Sequence, residues 1–446
     1  MASSSEEVSV LEIKCKVVTP MFSRGAAEPK WENGNRVYPF ELRPQSIKGV
    51  LRFWFRAIAP TVIDIYSLEG LENLSKKEKE RWEKEKYKGL KYLEGLIFGS
   101  QERKSPFSLE VEVKGESQAL GSFEKRGRNH RIQIENGQLR PLKYFLYGLY
   151  DEKNAVSYEF LPPDSEFRIF IYTANKNIEE IILSLFKLVS TFSGFGAKTR
   201  KGFGEFLILE PSFDRNNYKD AIEGCQKAIE KFMKIHNSRS DIKFKPSQNT
   251  FAEIPEFPNF CDYNIFEFSI RDCRFWSDAL KKFSYTYRNL KRILRKSKGD
   301  CVKEIVDALR GIKREVILPP AVMGLPLLYQ RLKGFEDKRV AIFSSLQNLD
   351  LEEKRGRKPS PLFISLHEDG GNWKVAVLVM RSRITSNEEG KLETILFEDE
   401  GKEKESLFIV RMNERESYEE LYKCLRKQSK EIQGDDRERK RRILEI

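Results

Sequence analysis

Short runs of apolar residues in the first half of the chain have the spacing and length of β-strands. The runs cover residues 8–18, 107–113, 165–172 and 205–209. The first two alternate between apolar and polar residues, which is typical of a strand with one buried face. Residues 47–59 and 177–192 repeat apolar residues at helical spacing, and we expect Ser46 to cap the first helix and Pro60 to end it. The predicted order is strand, helix, strand, strand, helix, strand.

This order is that of a ferredoxin-like (RRM-like, βαββαβ) domain, in which two helices cover a four-stranded antiparallel sheet. Two highly charged segments interrupt it, residues 65–95 and 115–157, and we expect both to lie outside the sheet. The second contains Asn136-Gly137, a pair that favours a tight hairpin turn. Glycines and prolines between residues 20 and 43 predict an irregular loop before the first helix.

The second half has the same kinds of pattern in a less regular sequence. Strands are predicted at residues 264–270, 340–345, 361–367 and 373–382. Helices are predicted within 213–245 and at 275–296, 302–313, 321–331 and 415–431. We therefore predict an α+β protein with two ferredoxin-like domains, residues 1–211 and a more irregular domain of residues 212–446, which carries extra helices.

Composition limits the possible partners. The 446 residues include 80 Lys and Arg against 68 Asp and Glu, a net charge of +12, which favours nucleic acid or an anionic membrane surface. The six cysteines include no C-x-x-C pair, so neither a zinc site nor a disulfide framework is expected. The sequence contains no apolar run of membrane-spanning length and no signal peptide at its start. We expect a soluble, cytoplasmic protein without a metal or cofactor.

The first helix carries a row of cations. Lys48, Arg52 and Arg56 recur every four residues, and Arg43 precedes the helix. Aligned cations repel one another unless an anion lies along them, and the sequence has no acidic residue between positions 44 and 63. We interpret the row as a phosphate-binding stripe, and the alternative is a solvated polar face.

The segment 194–204 is a loop rich in glycine and in positive charge. Its glycines are Gly194, Gly196, Gly202 and Gly204, and its central residues are Lys198, Thr199, Arg200 and Lys201. Glycines allow backbone N–H groups to approach a ligand closely, and Phe195 and Phe203 can stack on bases or fill the core. Nucleotide-binding loops follow a strand and begin a helix, whereas this loop follows a helix and begins a strand, so no nucleotide cofactor is expected.

Three of these segments together resemble the RAMP superfamily, the repeat-associated RNA-binding proteins of CRISPR systems. Residues 43–52 (RPQSIKGVLR) resemble its first-helix motif, residues 96–100 (LIFGS) its short central motif, and residues 194–204 its glycine-rich loop. With residues 53–57 (FWFRA) and 143–148 (KYFLYG), the chain is most similar to first subunits of type III-B (Cmr) effector complexes. The similarity is thinner in the second half, where no second glycine-rich loop is found.

The resemblance implies an RNA-binding, non-catalytic subunit of an antiviral defence complex. It implies contacts with guide (CRISPR) RNA near its 3′ end, with single-stranded target RNA and with other RAMP subunits. In a ferredoxin-like fold the start of the first helix and the last loop can border one groove, so we group their residues as a single RNA-binding candidate set. The set is Arg43, Ser46, Lys48, Gly49, Arg52, Arg56, Gly194, Gly196, Lys198, Thr199, Arg200, Lys201, Gly202 and Gly204.

Two alternatives stay open. Some RAMP relatives cut RNA with a histidine, and this chain has His130, His236 and His367. His130 lies among basic residues that would lower its pKa, whereas the other two fit packing or surface positions. No paired carboxylates or metal-ligand cluster stands out, so we predict that the protein is not an enzyme. The remaining alternative is an architectural subunit whose basic surface binds only protein.

Overall fold

The computed structural model describes most of the chain. The described residues are 8–32, 35–119, 133–134, 137–138, 142, 144–149, 158–247, 254–296, 301–325, 327–332, 335–343, 359–385, 391–398 and 406–432. The first-half strands are β1 (Ser9–Val17), β2 (Lys30–Glu32), β3 (Asn35–Val37), β4 (Phe107–Lys114), β5 (Gln118–Ala119), β6 (Gln133–Ile134), β7 (Gly137–Gln138), β8 (Glu159–Phe160), β9 (Glu166–Thr173) and β10 (Phe206–Glu210). The first-half helices are α1 (Pro44–Ile58), α2 (Lys76–Lys84), α3 (Lys88–Phe98) and α4 (Lys176–Phe192).

The first sheet contains the four long strands that the sequence predicts. Its order is β10-β1-β9-β4, with every neighbouring pair antiparallel. Counted along the chain this is the order 4-1-3-2, and α1 and α4 connect its strands. Ile13, Cys15 and Val17 alternate into the core along β1, so the period of two places one face of the sheet against the helices.

Helix α1 begins earlier than predicted. Arg43 is its N-cap and Pro44 its first residue, so Ser46 lies inside the first turn and does not cap the helix. Proline suits this position because its fixed φ is helical and its missing N–H would have no partner there. The predicted apolar face is confirmed, since Ile47, Leu51, Trp54 and Ile58 are buried.

The segment between β1 and α1 is more regular than its glycines and prolines predict. Strands β2 and β3 form an antiparallel hairpin in which Trp31 lies opposite Arg36. Both charged insertions lie outside the first sheet, as expected for their described residues. The first forms α2 and most of α3. The second contributes β5, which pairs with β8 just after the insertion, and the pair β6–β7. The pairing of Ile134 with Gly137 confirms a hairpin in this segment, but Gly137 lies on its second strand and not in the turn.

The second half supplies five further helices and nine strands to the described chain. The helices are α5 (Tyr218–Arg239), α6 (Trp276–Lys296), α7 (Cys301–Leu309), α8 (Pro319–Val322) and α9 (Glu414–Arg426). The strands are β11 (Tyr263–Ile270), β12 (Glu315–Val316), β13 (Leu327–Leu332), β14 (Phe335–Phe343), β15 (Leu362–Asp369), β16 (Asn372–Met380), β17 (Lys391–Glu398), β18 (Ser406–Met412) and β19 (Lys430–Ile432).

The second sheet repeats the order of the first. Its strands lie in the order β19-β11-β16-β15, which is again 4-1-3-2 along the chain, and all neighbours are antiparallel. Helix α6 follows the first strand of this sheet and α9 precedes the last, as α1 and α4 do in the first. The protein is therefore a mixed α and β protein with largely antiparallel sheets, in agreement with the predicted α+β class.

A five-stranded sheet was not predicted. Its order is β12-β18-β17-β14-β13, and its strands come from segments between α7 and α9. The helix predicted at 321–331 is wrong beyond Val322, because residues 327–332 pair with β14 as a strand. Short apolar runs fit either period, and pairing with a neighbouring strand decides between them. The helix predicted to reach residue 431 ends at Arg426, and β19 follows it.

The two halves share buried surface. Trp54 of α1 lies 5.2 Å from the ring of Phe363 on β15, measured between ring centroids. Helix α5 packs on α4 through buried residues that include Ile222, Cys225 and Ile229. The domain boundary at 211 and 212 stays a prediction. No helix among the described residues combines the length and apolar character needed to cross a membrane.

Candidate nucleic-acid interface

Two of the three cations on α1 are paired within the protein. Arg56 donates from Nε and Nη2 to the two carboxylate oxygens of Glu94 on α3, at 2.6 and 2.7 Å. Arg52 donates to the same carboxylate at 3.0 Å. The side chain of Glu94 is only 6% exposed, against 33% and 52% for Arg52 and Arg56. The anion that the row requires therefore comes from a neighbouring helix, which the run of residues 44–63 does not reveal.

Arg52 also connects two of the sequence motifs. Its Nη2 donates to the carbonyl oxygens of Phe98 and Gly99, at 3.1 and 2.9 Å. Gly99 has a φ of +81°, and a Cβ there would lie 2.7 Å from the backbone nitrogen of Ser105. The central motif thus has a conformation that presents carbonyl oxygens to the first-helix motif.

Lys48, the third cation of the row, is also held by this side of the first half. Its Nζ donates to the Ser105 hydroxyl at 2.7 Å and lies 4.5 Å from the centroid of the Phe107 ring. Burial, and then the nearby charge of Arg52, lower the pKa of Lys48. The expected phosphate stripe is therefore largely engaged in intramolecular contacts.

The glycine-rich loop is built by close backbone contacts. Phe195 and Gly204 pair through a 2.9 Å hydrogen bond, and the Ala197 N–H donates to the Phe22 carbonyl at 2.6 Å. Gly196 and Gly202 have the positive φ expected for this loop, +91° and +78°. A Cβ on Gly196 would lie 2.2 Å from the Phe22 oxygen, so the loop requires glycine there. A Cβ on Gly194 would meet the Gly204 oxygen at 2.0 Å.

The aromatic residues of the loop fill the core. Phe195 is buried and stacks on Phe206 at 4.8 Å between centroids. Phe203 is fully buried and lies against Phe22 and Trp276. Of the two roles that the sequence left open, core packing is the one observed.

The cations of the loop point towards the second half. Arg200 donates to the Ser360 carbonyl at 2.6 Å, and its guanidinium lies 4.6 Å from the Phe363 ring centroid. Burial lowers the pKa of Arg200 to about 10. Lys201 donates to the Tyr287 hydroxyl at 2.5 Å, and burial, reinforced by neighbouring cations, lowers its pKa to about 7.

Lys198, the third cation of the loop, contacts the first half instead. It has a positive φ of 64°, and its Nζ donates to the Tyr147 carbonyl at 2.5 Å. Thr199 begins the short turn that carries Arg200 and Lys201. None of the three loop cations forms an ion pair with a carboxylate in the part of the chain that the structure describes.

A groove separates the start of α1 from the loop, as expected. Its volume is about 350 Å³. It is lined by Phe22, Ser23, Arg24, Ser46, Val50, Tyr158, Gly196 and Ala197. Ser46 and Gly196 of the candidate set thus share one groove, and Gly49 lies exposed on the same face of α1. Arg52 and Arg56 line a different cleft, with Glu78, Glu85, Glu94 and Glu102 among its other residues. The candidate set therefore does not line a single groove, because the side chains of Arg52 and Arg56 lie on the side of α1 that faces α3.

The positive end of α1 lies at this groove. The first turn of α1 contains no acidic residue and no side chain caps it. The buried Nε of Arg43 has no hydrogen-bond partner in the described structure. The carboxylate of Glu159, next to Tyr158 in the chain, accepts hydrogen bonds from the Phe40 N–H and the Ser117 hydroxyl. The groove therefore favours an anion.

An arginine and aromatic surface beside the groove was missed from the sequence. The Arg24 guanidinium lies 4.3 Å from the Tyr38 ring centroid, and Arg36 lies 5.2 Å from the same ring. Tyr158 lies 5.4 Å from Tyr38, and Trp31 on the adjoining hairpin is 74% exposed. The signal was the presence of Trp31, Arg36 and Tyr38 within eight residues, a segment that was interpreted as an irregular loop.

The described histidines are packed within the protein. His236 contacts the Ile242 carbonyl through Nε2 at 3.1 Å and lies among the rings of Tyr92, Phe232 and Phe244. His367 is buried, and burial lowers its pKa well below the ordinary value. His130 lies outside the described residues. Within the described ranges, no group of three or more His, Cys, Asp or Glu residues is placed to hold a metal ion.

Comparisons with known proteins agree with the sequence motifs. The model of the RAMP superfamily matches residues 14–206. The CRISPR system Cmr subunit Cmr1-1 of Pyrococcus furiosus is 24% identical over 254 residues, which span 50% of this chain and 65% of that protein, slightly less than two thirds. Subunit Cmr1-2 of the same organism is 22% identical over 204 residues, 43% of this chain and 91% of that protein.

Solved structures show a more distant likeness. The crystal structure of apo Cmr1 from Pyrococcus furiosus has a TM-score of 0.47 and 14% identity, covering 95% of this chain and 98% of that chain. A chain of a type III-B Cmr-beta complex bound to cognate target RNA has a TM-score of 0.41 and 15% identity, covering 94% and 100%. Residues 14–206 of this chain are therefore similar to the RAMP superfamily, and Cmr1 subunits of CRISPR systems are among the proteins that the chain resembles.

Proposed function

We propose that this chain is an RNA-binding, non-catalytic subunit of a type III-B CRISPR effector (Cmr) complex, built from two ferredoxin-like domains. Its partners are the guide RNA near its 3′ end, single-stranded target RNA and other RAMP subunits in the cytoplasm. Its similarity to Cmr1 subunits supports the complex, and the groove between α1 and the glycine-rich loop supports RNA as the ligand.

The groove suits a phosphodiester backbone. Gly49 and Gly196 are exposed at its border, and no atom lies within 4 Å of the position that a Cβ on Gly49 would take. Phosphate oxygens can therefore approach α1 closely near its positive end. Arg24 adds an exposed cation at the rim. These groups recognise charge, so they support binding without a fixed sequence.

The aromatic surface suits unpaired bases. Tyr38 and Tyr158 stand beside the groove with Arg24 and Arg36 close to the Tyr38 ring. Stacking of bases on aromatic rings and on arginine planes tolerates any sequence and is typical of single-strand recognition. Together, the rings and the groove support binding of single-stranded rather than duplex RNA.

Filling the groove from α1 tests this proposal. Gly49→Leu should weaken binding of a labelled single-stranded RNA about tenfold or more, because the side chain obstructs the approach to α1 without changing charge. Gly224→Leu is the matched control, since Gly224 is also exposed, lies within a helix and has open space at its Cβ position. Both variants should remain folded by circular dichroism. Equal RNA affinity for the two variants would contradict the groove as the binding site.

Incubation of labelled RNA with the protein, with and without Mg²⁺, separates a binder from a nuclease. We expect intact RNA in both cases, because His367 is buried and the half-buried His236 packs among aromatic rings. His130→Ala should leave the RNA equally intact. A cleavage product that requires the protein and disappears in that variant would favour the endoribonuclease instead. An architectural subunit would show no salt-dependent RNA binding at all.

A further inference from the structure

Helix α6 presents an exposed row of cations in the second half. Arg288, Arg292 and Lys296 recur every four residues, so they lie along one face of the helix. All three are exposed, and Tyr285, one turn before Arg288, is 52% exposed. The row from Arg288 to Lys296 extends about 12 Å along the helix axis.

These cations lack the anion that the α1 row has. None of the three forms an ion pair with a carboxylate of the described chain. Asp278, the acidic residue of the first turn of α6, lies 3.7 Å from Lys281 and far along the helix from the row. The dipole of the helix favours cations only in its last turn, and Arg288 lies outside that turn. The repulsion among these three cations is therefore not relieved by a carboxylate of the described chain, and a bound anion would relieve it.

The row continues the positive charge of the glycine-rich loop. Tyr287, next to Arg288, accepts the hydrogen bond from Lys201 of that loop. Lys291, next to Arg292, donates to the Tyr144 hydroxyl at 2.9 Å. The positive charge of Lys291 contributes to the lowered pKa of Lys201, so the two ammonium groups are near each other. Basic residues of the loop and of α6 thus lie close to one another across both halves.

Helix α6 has the same place in the second sheet that α1 has in the first. It follows the first strand of the second sheet, as α1 follows the first strand of the first sheet. The two helices carry cation rows of identical spacing, but Glu94 neutralises only the row on α1.

We propose that α6 binds the phosphodiester backbone of single-stranded RNA through Arg288, Arg292 and Lys296, with Tyr285 as a stacking surface for a base. The second half then extends the RNA path that begins at the groove of the first half. This inference rests on the proposed function, since it assumes that the groove holds RNA.

Neutralising the row tests the inference. Arg288→Gln with Arg292→Gln should weaken binding of a labelled oligouridylate and reduce the salt slope of log K by about 1.4, or about 0.7 per lost phosphate contact. Lys227→Gln with Lys231→Gln on α5 is the matched control, because it removes the same charge at the same spacing. Those lysines already pair with Glu223 and Glu180, and the control should keep the parental slope.

The outcomes separate the two proposals. Parental affinity and slope in the α6 variant, while Gly49→Leu still weakens binding, would overturn the α6 site and leave the groove in place. Equal losses in the α6 and α5 variants would also overturn the α6 site, since net charge alone would explain them. Absence of RNA binding by the parent would overturn both. Ultraviolet cross-linking of the parent to the same RNA should mark the peptide that contains Tyr285, and a peptide map without it would count against the site.

Discussion

Lys201 combines a buried position with three neighbouring cations. Its pKa falls to about 7, whereas in the unfolded chain it stays near 10.5. Between these values the unfolded chain binds more protons than the folded protein, so the free energy of unfolding rises with pH. We expect an increase of about 1 kcal/mol between pH 6 and pH 8 from this residue.

Urea unfolding at several pH values measures this effect. Lys201→Met keeps most of the side-chain volume and removes the titrating group, so its unfolding free energy should lack the increase. Parallel pH profiles for parent and variant would contradict the assignment. Lys198→Met is a useful comparison, because burial lowers the pKa of Lys198 as well.

At the scale of elements, Arg52 links α1 to α3 through an ion pair and hydrogen bonds. Arg52→Ala removes the hydrogen bonds that this side chain donates to Glu94 and to the carbonyl oxygens of Phe98 and Gly99. Because these contacts are partly buried, we expect the free energy of unfolding to fall by about 2 kcal/mol. Arg288→Ala, which removes an exposed and unpaired arginine, should change it by no more than about 0.5 kcal/mol.

Glu94→Gln alone and combined with Arg52→Ala completes a double-mutant cycle for this contact. Additive losses would show that Arg52 and Glu94 do not stabilise the fold through each other. The cycle also separates a folding role of Arg52 from an RNA-binding role, because RNA is absent from the unfolding experiment.

Local patterns determine which elements the sequence predicts well. Residues 9–17 and 107–114 alternate clearly, and α4 has a near-continuous apolar face, so all three were predicted within one or two residues. The hairpin of β2 and β3 and the five-stranded sheet were missed, because pairing between strands, and not local period, defines them. Ser46 was misplaced because the N-cap rule favours its hydroxyl, while Pro44 fixes the helix start.

The candidate site was predictable only in part for a similar reason. The positive φ of Gly196 and Gly202 follows from the need for glycine at close backbone contacts, and the structure agrees. Whether a charged side chain forms an ion pair depends on residues that are distant in sequence. Glu94, for example, is 42 positions from its partner Arg52. Sequence spacing therefore identified the cation row on α1 but did not show that Glu94 pairs with it.

At the scale of the whole molecule, a buried ion pair joins the halves. Arg215 donates to Glu205 at 2.9 Å, and the same carboxylate accepts the N–H of Leu366 on β15. Glu205 is completely buried. Arg215→Met should cost about 3–5 kcal/mol, because it leaves that carboxylate without its charge partner.

Adding Glu205→Gln to Arg215→Met should recover part of this loss, because the lone charge is then removed. Tryptophan fluorescence and far-ultraviolet circular dichroism should report one coincident urea transition for the parent, since Trp54 contacts residues of both halves. Two separated transitions would contradict cooperative unfolding of the halves.

The contact between Glu205 and Leu366 has a consequence for synthesis. The two residues are 161 positions apart, and Phe363, which covers Trp54, is made equally late. At about 5–20 residues per second, the ribosome takes roughly ten to thirty seconds to span that distance. During this interval the nascent first half exposes aromatic rings and a carboxylate that the finished protein buries. Its final fold is therefore completed only as β15 leaves the exit tunnel, and a chaperone that shields apolar surface should increase the yield.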